Sequence, residues 1–220
     1  MEKKLSKGDL VSIFIRSNFL LGSFNFERMQ AIGFCVSLIP ALKKLYKDDP
    51  EEYKRSLKRH LEFFNTQPFL ATPIMGIIAA MEEKKANGAD IGEDTLSGVK
   101  VGLIGPLAGV GDPIFWGTLR PITAALGASF ALTGSIIGPI LFFVLFNAIR
   151  LAVRWYGIKY GYTKGTEGIM RAFDRGYTEV TFSKIAVEVN ADEAIIHKEY
   201  HLSSADPNIV GVDKVVPVGR

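Results

Sequence analysis

Hydrophobic and polar residues divide the chain into four regions of different character. In the first region, Leu5–Gln30, apolar residues recur at helical spacing, and Ser6 followed by Asp9 is typical of a helix start. This pattern predicts an amphipathic helix that either packs on a protein core or lies in a membrane interface. The pattern alone leaves both alternatives open.

The second region, Ala31–Ala80, alternates short apolar runs with a charged segment. The runs Ala31–Leu42 and Pro68–Met81 are each too short to span a bilayer, so we expect buried or re-entrant pieces. Between them, the basic stretch Lys43–Arg59 predicts a solvated face and, by the positive-inside rule, the cytoplasmic side. The one cysteine, Cys35, cannot form an internal disulfide and is expected to be a small packing residue.

The third region, Val101–Val153, is the predicted membrane core. Between Lys100 and Arg120 lie about nineteen residues whose only ionisable side chain is Asp112, a length close to one bilayer span. Pro121–Ile149 carries no charge over roughly thirty residues, which is more than a soluble helix usually runs apolar all round. We therefore expect this region to lie inside a lipid bilayer, with Pro121–Ile149 as a full span.

The fourth region begins after Gly165 and differs in kind. Thr178–Val189 resembles a strand with imperfect alternation, Glu193–Tyr200 is polar, and the segment from Asp206 is typical of a turn. Nothing after Arg154 has the apolar length to span a bilayer. The pattern therefore predicts a soluble tail of mixed or irregular structure.

Together these regions predict a mostly α-helical integral membrane protein with broken or re-entrant helices. The predicted membrane domain is 1–165, with an amphipathic, cytoplasm-facing part at 1–100 and the membrane core at 101–162. The divergent soluble tail is 166–220.

Composition narrows the function classes without indicating a membrane protein by itself. The chain has 220 residues, 48% of them hydrophobic, which is close to a soluble average. The formal net charge of +3 is too small to favour nucleic-acid binding. Zinc-ligand spacing, a Walker loop and an aromatic RNA-binding signature are all missing from the sequence, so we expect no metal, cofactor or nucleic acid.

The segment Gly102–Pro113 carries the most chemical information. Its four glycines and two prolines predict an interrupted helix, and broken backbone in hydrocarbon needs protein or a watery cavity around it. Asp112 before Pro113 fits a helix N-cap. Alternatively, Asp112 and a broken helix near mid-membrane help to form a solute site or gate. Both interpretations stay open.

Small residues and one histidine add two further expectations. Gly105 with Gly109, and Gly134 with Gly138, are small-residue faces that favour a tightly packed bundle sealed by a second subunit. His60 lies in a predicted helix without surrounding anion-binding amides, which favours a structural or hydrogen-bonding role over a phosphoryl acceptor. The sequence suggests no catalytic set of nucleophile, base and orienting group.

Four long phrases, in order, resemble one protein family. They are RSNFLLGSFNFERMQ at Arg16–Gln30, KRHLEFFNTQP at Lys58–Pro68, GLIGPLAGVGDPIFW at Gly102–Trp116 and GPILFFVLFN at Gly138–Asn147. On these phrases the chain resembles the IID subunit of the mannose-family sugar phosphotransferase permeases of bacteria. The resemblance covers about Leu5 to Gly165.

The resemblance implies a multi-pass protein of the bacterial cytoplasmic (inner) membrane that forms a hetero-oligomer with a membrane subunit, IIC. The pair moves a hexose or amino sugar, and the cytoplasmic subunits IIA and IIB carry the phosphoryl group from phosphoenolpyruvate. His60 is then not the phosphoryl carrier, and any enzymatic activity belongs to the complex. The residues expected to line or support the sugar path are Asp112, Gly105, Gly109, Gly111, Asn65 and Asn147.

The chain departs from the family at about Thr166. Family members continue beyond the equivalent of Gly165 through a glycine-rich segment to a further apolar anchor. A truncated or frame-shifted product and a genuine variant with a soluble appendage are both compatible with this departure. The leading function is therefore a transport subunit, and the alternative is a scaffold that binds IIC without transporting. A soluble enzyme is a third possibility.

Overall fold

The computed structural model describes residues 2–174, 196–198 and 201–203. The chain divides into two compact units, Met1–Thr166 and Glu167–Arg220. In the second unit, strands β1 (Ile196–Lys198) and β2 (His201–Ser203) pair antiparallel. The predicted strand at 178–189 and the predicted turn from Asp206 lie outside the described residues.

The described part of the first unit is almost entirely helical. Its elements, in chain order, are α1 (Lys7–Ser17), α2 (Ala31–Leu45), α3 (Pro50–His60), α4 (Ala71–Ala86), α5 (Glu93–Asp112), a π-helical segment (Pro113–Leu119), α6 (Arg120–Ala131) and α7 (Ile137–Asp174). This agrees with the predicted mostly α-helical class.

Helix α1 begins as its sequence predicts. The Ser6 side chain accepts from the backbone N–H of Asp9, and the Asp9 carboxylate accepts from the backbone N–H of Ser6, which completes a capping box. Leu10 and Ile13 are buried, and the helix packs on α2. Of the two interpretations of this amphipathic helix, packing on a protein core is therefore observed.

Helices α2 and α4 form the core, as expected for apolar runs too short to span a bilayer. Phe34 and Leu38 of α2, and Ile74 and Ile78 of α4, are fully buried. Cys35 is 4% exposed, which agrees with the expected small packing residue. Burying one large apolar side chain stabilises the folded state by about 1.5–3 kcal/mol, and this is the main driving force for the packing.

Helix α7 packs against α4 through glycines. Gly76 of α4 faces the Ile158 carbonyl, and Gly161 of α7 faces the Pro73 carbonyl, so closely that a Cβ on either glycine would collide with backbone. This close approach is what small residues permit between helices. Within the described residues, Ile137–Thr163 of α7 is the stretch long and apolar enough to cross a bilayer, and 11% of its most apolar window is buried. A core helix of a soluble protein would be mostly buried.

The predicted interruption between Gly102 and Pro113 is wrong. Helix α5 continues through Pro106 to Asp112, and the irregular backbone begins one residue later, as the π-helical segment. Tertiary contacts outweigh the low helix propensity here: Thr66 Oγ1 donates to the Ile104 carbonyl, and Gly111 packs on Gln67. The N-cap interpretation of Asp112 is also wrong, because its backbone is helical (φ −64°, ψ −46°) and its side chain makes no cap hydrogen bond.

The predicted span Pro121–Ile149 is wrong as a single helix, because a turn divides it. Gly134 has φ +78°, its N–H donates to the Ala131 carbonyl, and the Ser135 N–H donates to the Phe130 carbonyl. This is a Schellman ending, in which glycine adopts the left-handed conformation that other residues avoid. The chain then reverses, and Gly138 of α7 meets Gly127 of α6 in a close contact.

We expect Gly161→Ala to destabilise the first unit, because its Cβ would collide with the Pro73 carbonyl and force the two helices apart. The free energy of unfolding should fall by about 1–3 kcal/mol, the usual cost of overpacking. Gly98→Ala is the matched control, since nothing lies within 4 Å of a Cβ there. Thermal unfolding of the detergent-purified variants measures both, and equal midpoints would contradict the proposed α4–α7 contact.

Candidate functional site

The loop between α3 and α4 runs alongside the glycine-rich half of α5. Lys100 Nζ donates to the Arg59 carbonyl at 2.6 Å, and Thr66 Oγ1 donates to the Ile104 carbonyl at 2.8 Å. Farther along α5, a Cβ on Gly111 would lie 2.7 Å from the Gln67 side chain. The structure therefore brings the loop that contains Asn65 together with the predicted path segment of α5.

The three predicted path glycines have different environments. Gly111 is buried against Gln67 and Leu70, where only a hydrogen fits. Gly105 and Gly109 are exposed, and no atom lies within 4 Å of a Cβ built on either of them. Gly111 therefore serves packing within this chain, whereas the Gly105–Gly109 face is open to a neighbour.

Asp112 and Asn65 are both exposed. Gln67 and Thr66, the neighbours of Asn65, are buried, with the Gln67 Oε1 accepting from the backbone N–H groups of Phe69 and Leu70. The loop is thus held by its buried residues while Asn65 projects outward. Within the described residues, the side chains of Asp112 and Asn65 make no hydrogen bond or ion pair.

Asn147 lies on α7 beside two further polar residues. Its Nδ2 donates to the Phe143 carbonyl at 2.7 Å, and its Oδ1 accepts from Arg150 Nη2 at 2.8 Å. Arg150 Nη1 also donates to Asn18 Oδ1 at 3.2 Å. Asn147 is therefore grouped with Arg150 and Asn18, and no described contact joins it to the path residues of α5.

A set of aromatic rings lies beside the Asn147 and Arg150 group. Phe69 lies at its centre, with Phe115 of the π-helical segment 4.8 Å away and Phe146 of α7 5.9 Å away between ring centroids. The guanidinium groups of Arg150 and Arg154 lie 5.7 and 5.3 Å from the Phe69 ring, within cation–π range. Phe69 thus connects α4, the π-helical segment and α7.

A buried charged cluster around Glu82 is the strongest polar feature of the first unit. The Glu82 carboxylate accepts from Arg59 Nε at 2.8 Å and Nη2 at 2.9 Å, and His60 Nε2 lies 2.7 Å from its Oε1. The Tyr46 hydroxyl donates to Glu82 Oε2. Arg59 also pairs with Glu52 at 2.9 Å. These contacts link the end of α2, helix α3 and helix α4.

The cluster fixes the protonation of its members. Burial by itself would raise the pKa of Glu82, but the hydrogen bonds from His60 and Arg59 outweigh it and lower this pKa to about 2. Burial lowers the pKa of His60, so the imidazole is neutral and donates through Nε2 to Glu82. Burial and the adjacent Glu82 charge raise the pKa of Tyr46. The Glu82 carboxylate is therefore held by one guanidinium and two neutral donors.

His60 is thus a hydrogen-bonding residue of the core, as the sequence suggested. The partners of Glu82 were missed, because Arg59 and His60 lie more than twenty positions away along the chain. The sequence feature that could have indicated these partners is the glutamate directly after the apolar run Pro68–Met81. A charge at that position needs a partner when it is buried. The Arg150 and Arg154 pair was also missed, although two arginines one helical turn apart close the apolar run of α7.

Replacing Glu82 by glutamine should destabilise the first unit strongly. The change leaves the Arg59 guanidinium buried without its main carboxylate, and breaking a buried pair in this way costs about 3 kcal/mol or more. Glu51→Gln removes an exposed pair with Lys54 and should cost at most about 1 kcal/mol. Denaturant or thermal unfolding in detergent compares the two, and similar losses would contradict a special role for the buried cluster.

Stability should fall in acid because of the same cluster. His60 and Glu82 both have folded-state pKa values below their ordinary values of 6.5 and 4.5, so the unfolded chain binds protons first as pH falls. The stabilisation is complete above pH 6.5 and begins to fall as His60 protonates in the unfolded state. Glu82 adds a further loss between pH 4.5 and about 2. Unfolding midpoints measured against pH should show both parts, and Glu82→Gln should reduce the lower one, to which the lowered pKa values of Glu62 and Asp9 also contribute.

Comparison with known proteins gives three relevant likenesses. The family model for the PTS system mannose/fructose/sorbose family IID component matches residues 4–187. The mannose-specific EIID component of Escherichia coli K12 is 60% identical over 166 residues, which are 76% of this chain and 59% of that protein. A cryo-EM structure of the mannose transporter ManYZ in complex with microcin E492 superposes with a TM-score of 0.77 at 46% identity, covering 97% of this chain and 86% of that one.

A shorter likeness concerns another class of protein. The aspartate kinase Ask_Ect of Stutzerimonas stutzeri is 67% identical over 60 residues, which are 27% of this chain and 13% of that protein. This chain spans about three-fifths of the length of the curated IID relatives that it matches, 59% for the Escherichia coli protein. Because the family model matches residues 4–187 and the curated relative is 60% identical, the chain belongs to the family of IID components of mannose/fructose/sorbose phosphotransferase systems.

Proposed function

We propose that the chain acts as the IID membrane subunit of a sugar permease and pairs with a IIC subunit to move a hexose or amino sugar inward. In this scheme IIA and IIB phosphorylate the sugar, and this chain carries no phosphoryl group. The observation that carries the proposal is the likeness to the mannose transporter structure over 97% of the chain. The exposed apolar surface of α5 to α7 supports it, because such a surface is unsuited to water.

We propose two antiparallel passes. The first is formed by α5, the π-helical segment and α6, whose residues 101–131 extend for about 45 Å at 1.5 Å per residue. The second is α7. The intervening turn, 132–136, carries no charge, whereas Arg150, Arg154 and Lys159 lie toward the other end of α7. By the positive-inside rule the turn faces outward and the N-terminal helices face the cytoplasm.

We propose that Gly105, Gly109, Asp112 and Asn65 support the sugar path from the side of this subunit. Their exposure supports this role. The open glycine face and the exposed Asp112 side chain are both accessible to a neighbouring subunit or a sugar. Gly111 contributes indirectly, by allowing the α3–α4 loop to pack on α5. Asn147 belongs to a separate group on α7 and acts through Arg150.

The alternative function is a scaffold that binds IIC without transporting. The observation that favours it is that the sequence departs from the family pattern at about Thr166. Co-expression with IIC, IIA and IIB in cells that lack their own permease separates the two functions. Growth on mannose, fructose or sorbose supports transport, whereas copurification of IIC without growth supports a scaffold.

We infer that the residues after about Thr166 come from joined coding sequences and not from a shifted reading frame. The mannose-specific relative matches 166 residues, 76% of the chain, and the likeness to an aspartate kinase extends over 60 residues, 27% of the chain, at 67% identity, so the two likenesses together are about as long as the chain. Out-of-frame translation would not produce such a likeness. Sequencing the gene and its transcript across codon 165 tests the inference, and an apolar anchor in another frame at that point would overturn it.

Gly109→Leu and Asp112→Asn should each cut sugar uptake about tenfold, equivalent to about 1.4 kcal/mol of barrier, without preventing membrane insertion. The physical reason is that bulk or a lost charge at an open position disturbs the path and not this chain's own packing. Gly98→Leu is the matched control, because it is equally open but lies three helical turns away on α5. Uptake of labelled sugar and membrane fractionation are measured together, and unchanged uptake in both variants would contradict the path.

A further inference from the structure

The α1–α2 loop, residues 18–30, presents a cluster of large apolar side chains at the surface. Four of them are exposed, namely Phe19 (71%), Leu21 (50%), Phe24 (48%) and Phe26 (92%). Within residues 2–100, these four side chains of one short loop outnumber all other exposed large apolar side chains. Clusters of this kind mark a contact with a membrane or with another protein.

The body of the protein holds this loop in place. Leu20 is fully buried, and Gly33 of α2 lies so close to the Leu20 carbonyl that a Cβ on this glycine would collide with it. The backbone N–H groups of Gly22 and Phe24 each donate to the carbonyl three positions earlier. The loop therefore turns its apolar side chains outward while these backbone groups are bonded internally, as a backbone near hydrocarbon requires.

The first end of the loop lies where the uncharged stretch of α7 ends. Three contacts pair the end of α1 with α7: Phe14 with Trp155, Ser17 with Arg154, and Asn18 with Arg150. Going toward the C-terminus of α1, the partner residue thus moves toward the N-terminus of α7. The uncharged stretch 121–149 lies in that direction and stops one residue before Arg150. The chain therefore leaves α1 toward the apolar part of α7.

The other end of the loop lies where the uncharged part of α5 begins. Gln30 Nε2 donates to the Thr66 carbonyl at 2.7 Å, and Thr66 Oγ1 donates to the Ile104 carbonyl at 2.8 Å. Ile104 is four residues beyond Lys100, and α5 carries no charge from there until Asp112. Both ends of the loop are thus joined to the ends of uncharged stretches, on the side where the N-terminal helices lie. The loop therefore lies at the boundary between the polar and the apolar parts of the first unit.

The side chains around this boundary have the composition of a membrane interface. Tyr156 and Tyr160, which follow Arg150 along α7, are 68% and 69% exposed, and exposed tyrosines of this kind are typical of the headgroup level. Arg16 and Arg28, on either side of the four apolar side chains, are also exposed. Phenylalanine and leucine beside arginine is the combination that interfacial segments use, because lipid phosphates lie next to the first acyl carbons.

We propose that the α1–α2 loop anchors the N-terminal helices in the membrane interface, with Phe19, Leu21, Phe24 and Phe26 inserted between the lipid headgroups of the cytoplasmic leaflet. The occupant of this apolar surface is lipid, and not the second membrane subunit. Helix α1 itself packs on protein, whereas the loop that follows it supplies the contact with lipid. The inference rests on the proposed two passes and adds a third attachment to the bilayer.

The test places a spin label at position 26 of the full chain in phosphatidylethanolamine–phosphatidylglycerol nanodiscs. It compares the collision rates of the label with oxygen, which concentrates in lipid, and with a nickel chelate, which stays in water. Phe26→Cys removes little packing, because this side chain is 92% exposed. The native Cys35 should stay unlabelled, because it is buried and its burial raises the pKa of the thiol to about 11.

Two further labelled variants serve as references. Lys54→Cys, on an exposed side chain of α3, should collide mainly with nickel, and Val144→Cys, in the uncharged stretch of α7, mainly with oxygen. The ratio of oxygen to nickel collisions at position 26 should be several-fold higher than at position 54. It should not change when IIC is co-expressed and incorporated with the chain.

The outcomes separate the inference from the proposal on which it rests. If position 144 is as accessible to nickel as position 54, the proposed pass fails and the inference fails with it. If position 144 lies in lipid while position 26 matches position 54, only the inference is overturned. Protection of position 26 from both reagents once IIC is present would assign the loop to the second subunit and also overturn it.

Discussion

The Glu82 carboxylate is the interaction on which the arrangement of the N-terminal helices depends. It is completely buried, and moving a charge into the protein interior is unfavourable unless every nearby acceptor site is occupied. Arg59, His60 and Tyr46 occupy those sites, and they come from helix α3 and from the end of helix α2. Because these donors must converge on one carboxylate, α4 holds its neighbours in a single register. Burial of apolar side chains alone would allow several registers of these helices.

The same fixed α4 then positions the membrane part of the chain. Its glycine and proline face accepts α7 closely, and the residues just before it, Gln67 and Phe69, contact α5, the π-helical segment and α7. The orientation of the apolar helices α5 to α7 is thus set by a core of buried charge and packed aliphatic side chains. Lipid contributes little to helix–helix attraction, so close glycine packing and aromatic contacts have to supply it.

Features with a local cause could be predicted from the sequence, whereas features with a distant cause could not. The capping box at Ser6 and Asp9 depends on residues three positions apart, and burial of Cys35 follows from the apolar run around it. The continuity of α5 could not be predicted, because Thr66 and Gln67 stabilise it from another segment. The turn at Gly134 was a different kind of error. Its glycine was visible, but the absence of charge over roughly thirty residues suggested one long helix.

Within the described residues, the distribution of satisfied and unsatisfied groups separates an inner side of the molecule from an outer one. Gly76, Gly127, Gly138 and Gly161 already meet backbone of this chain, whereas Gly105 and Gly109 meet nothing. In a bilayer, a small-residue face allows the backbone of another helix to approach closely. The open Gly105–Gly109 face therefore favours a membrane neighbour that approaches closely along α5.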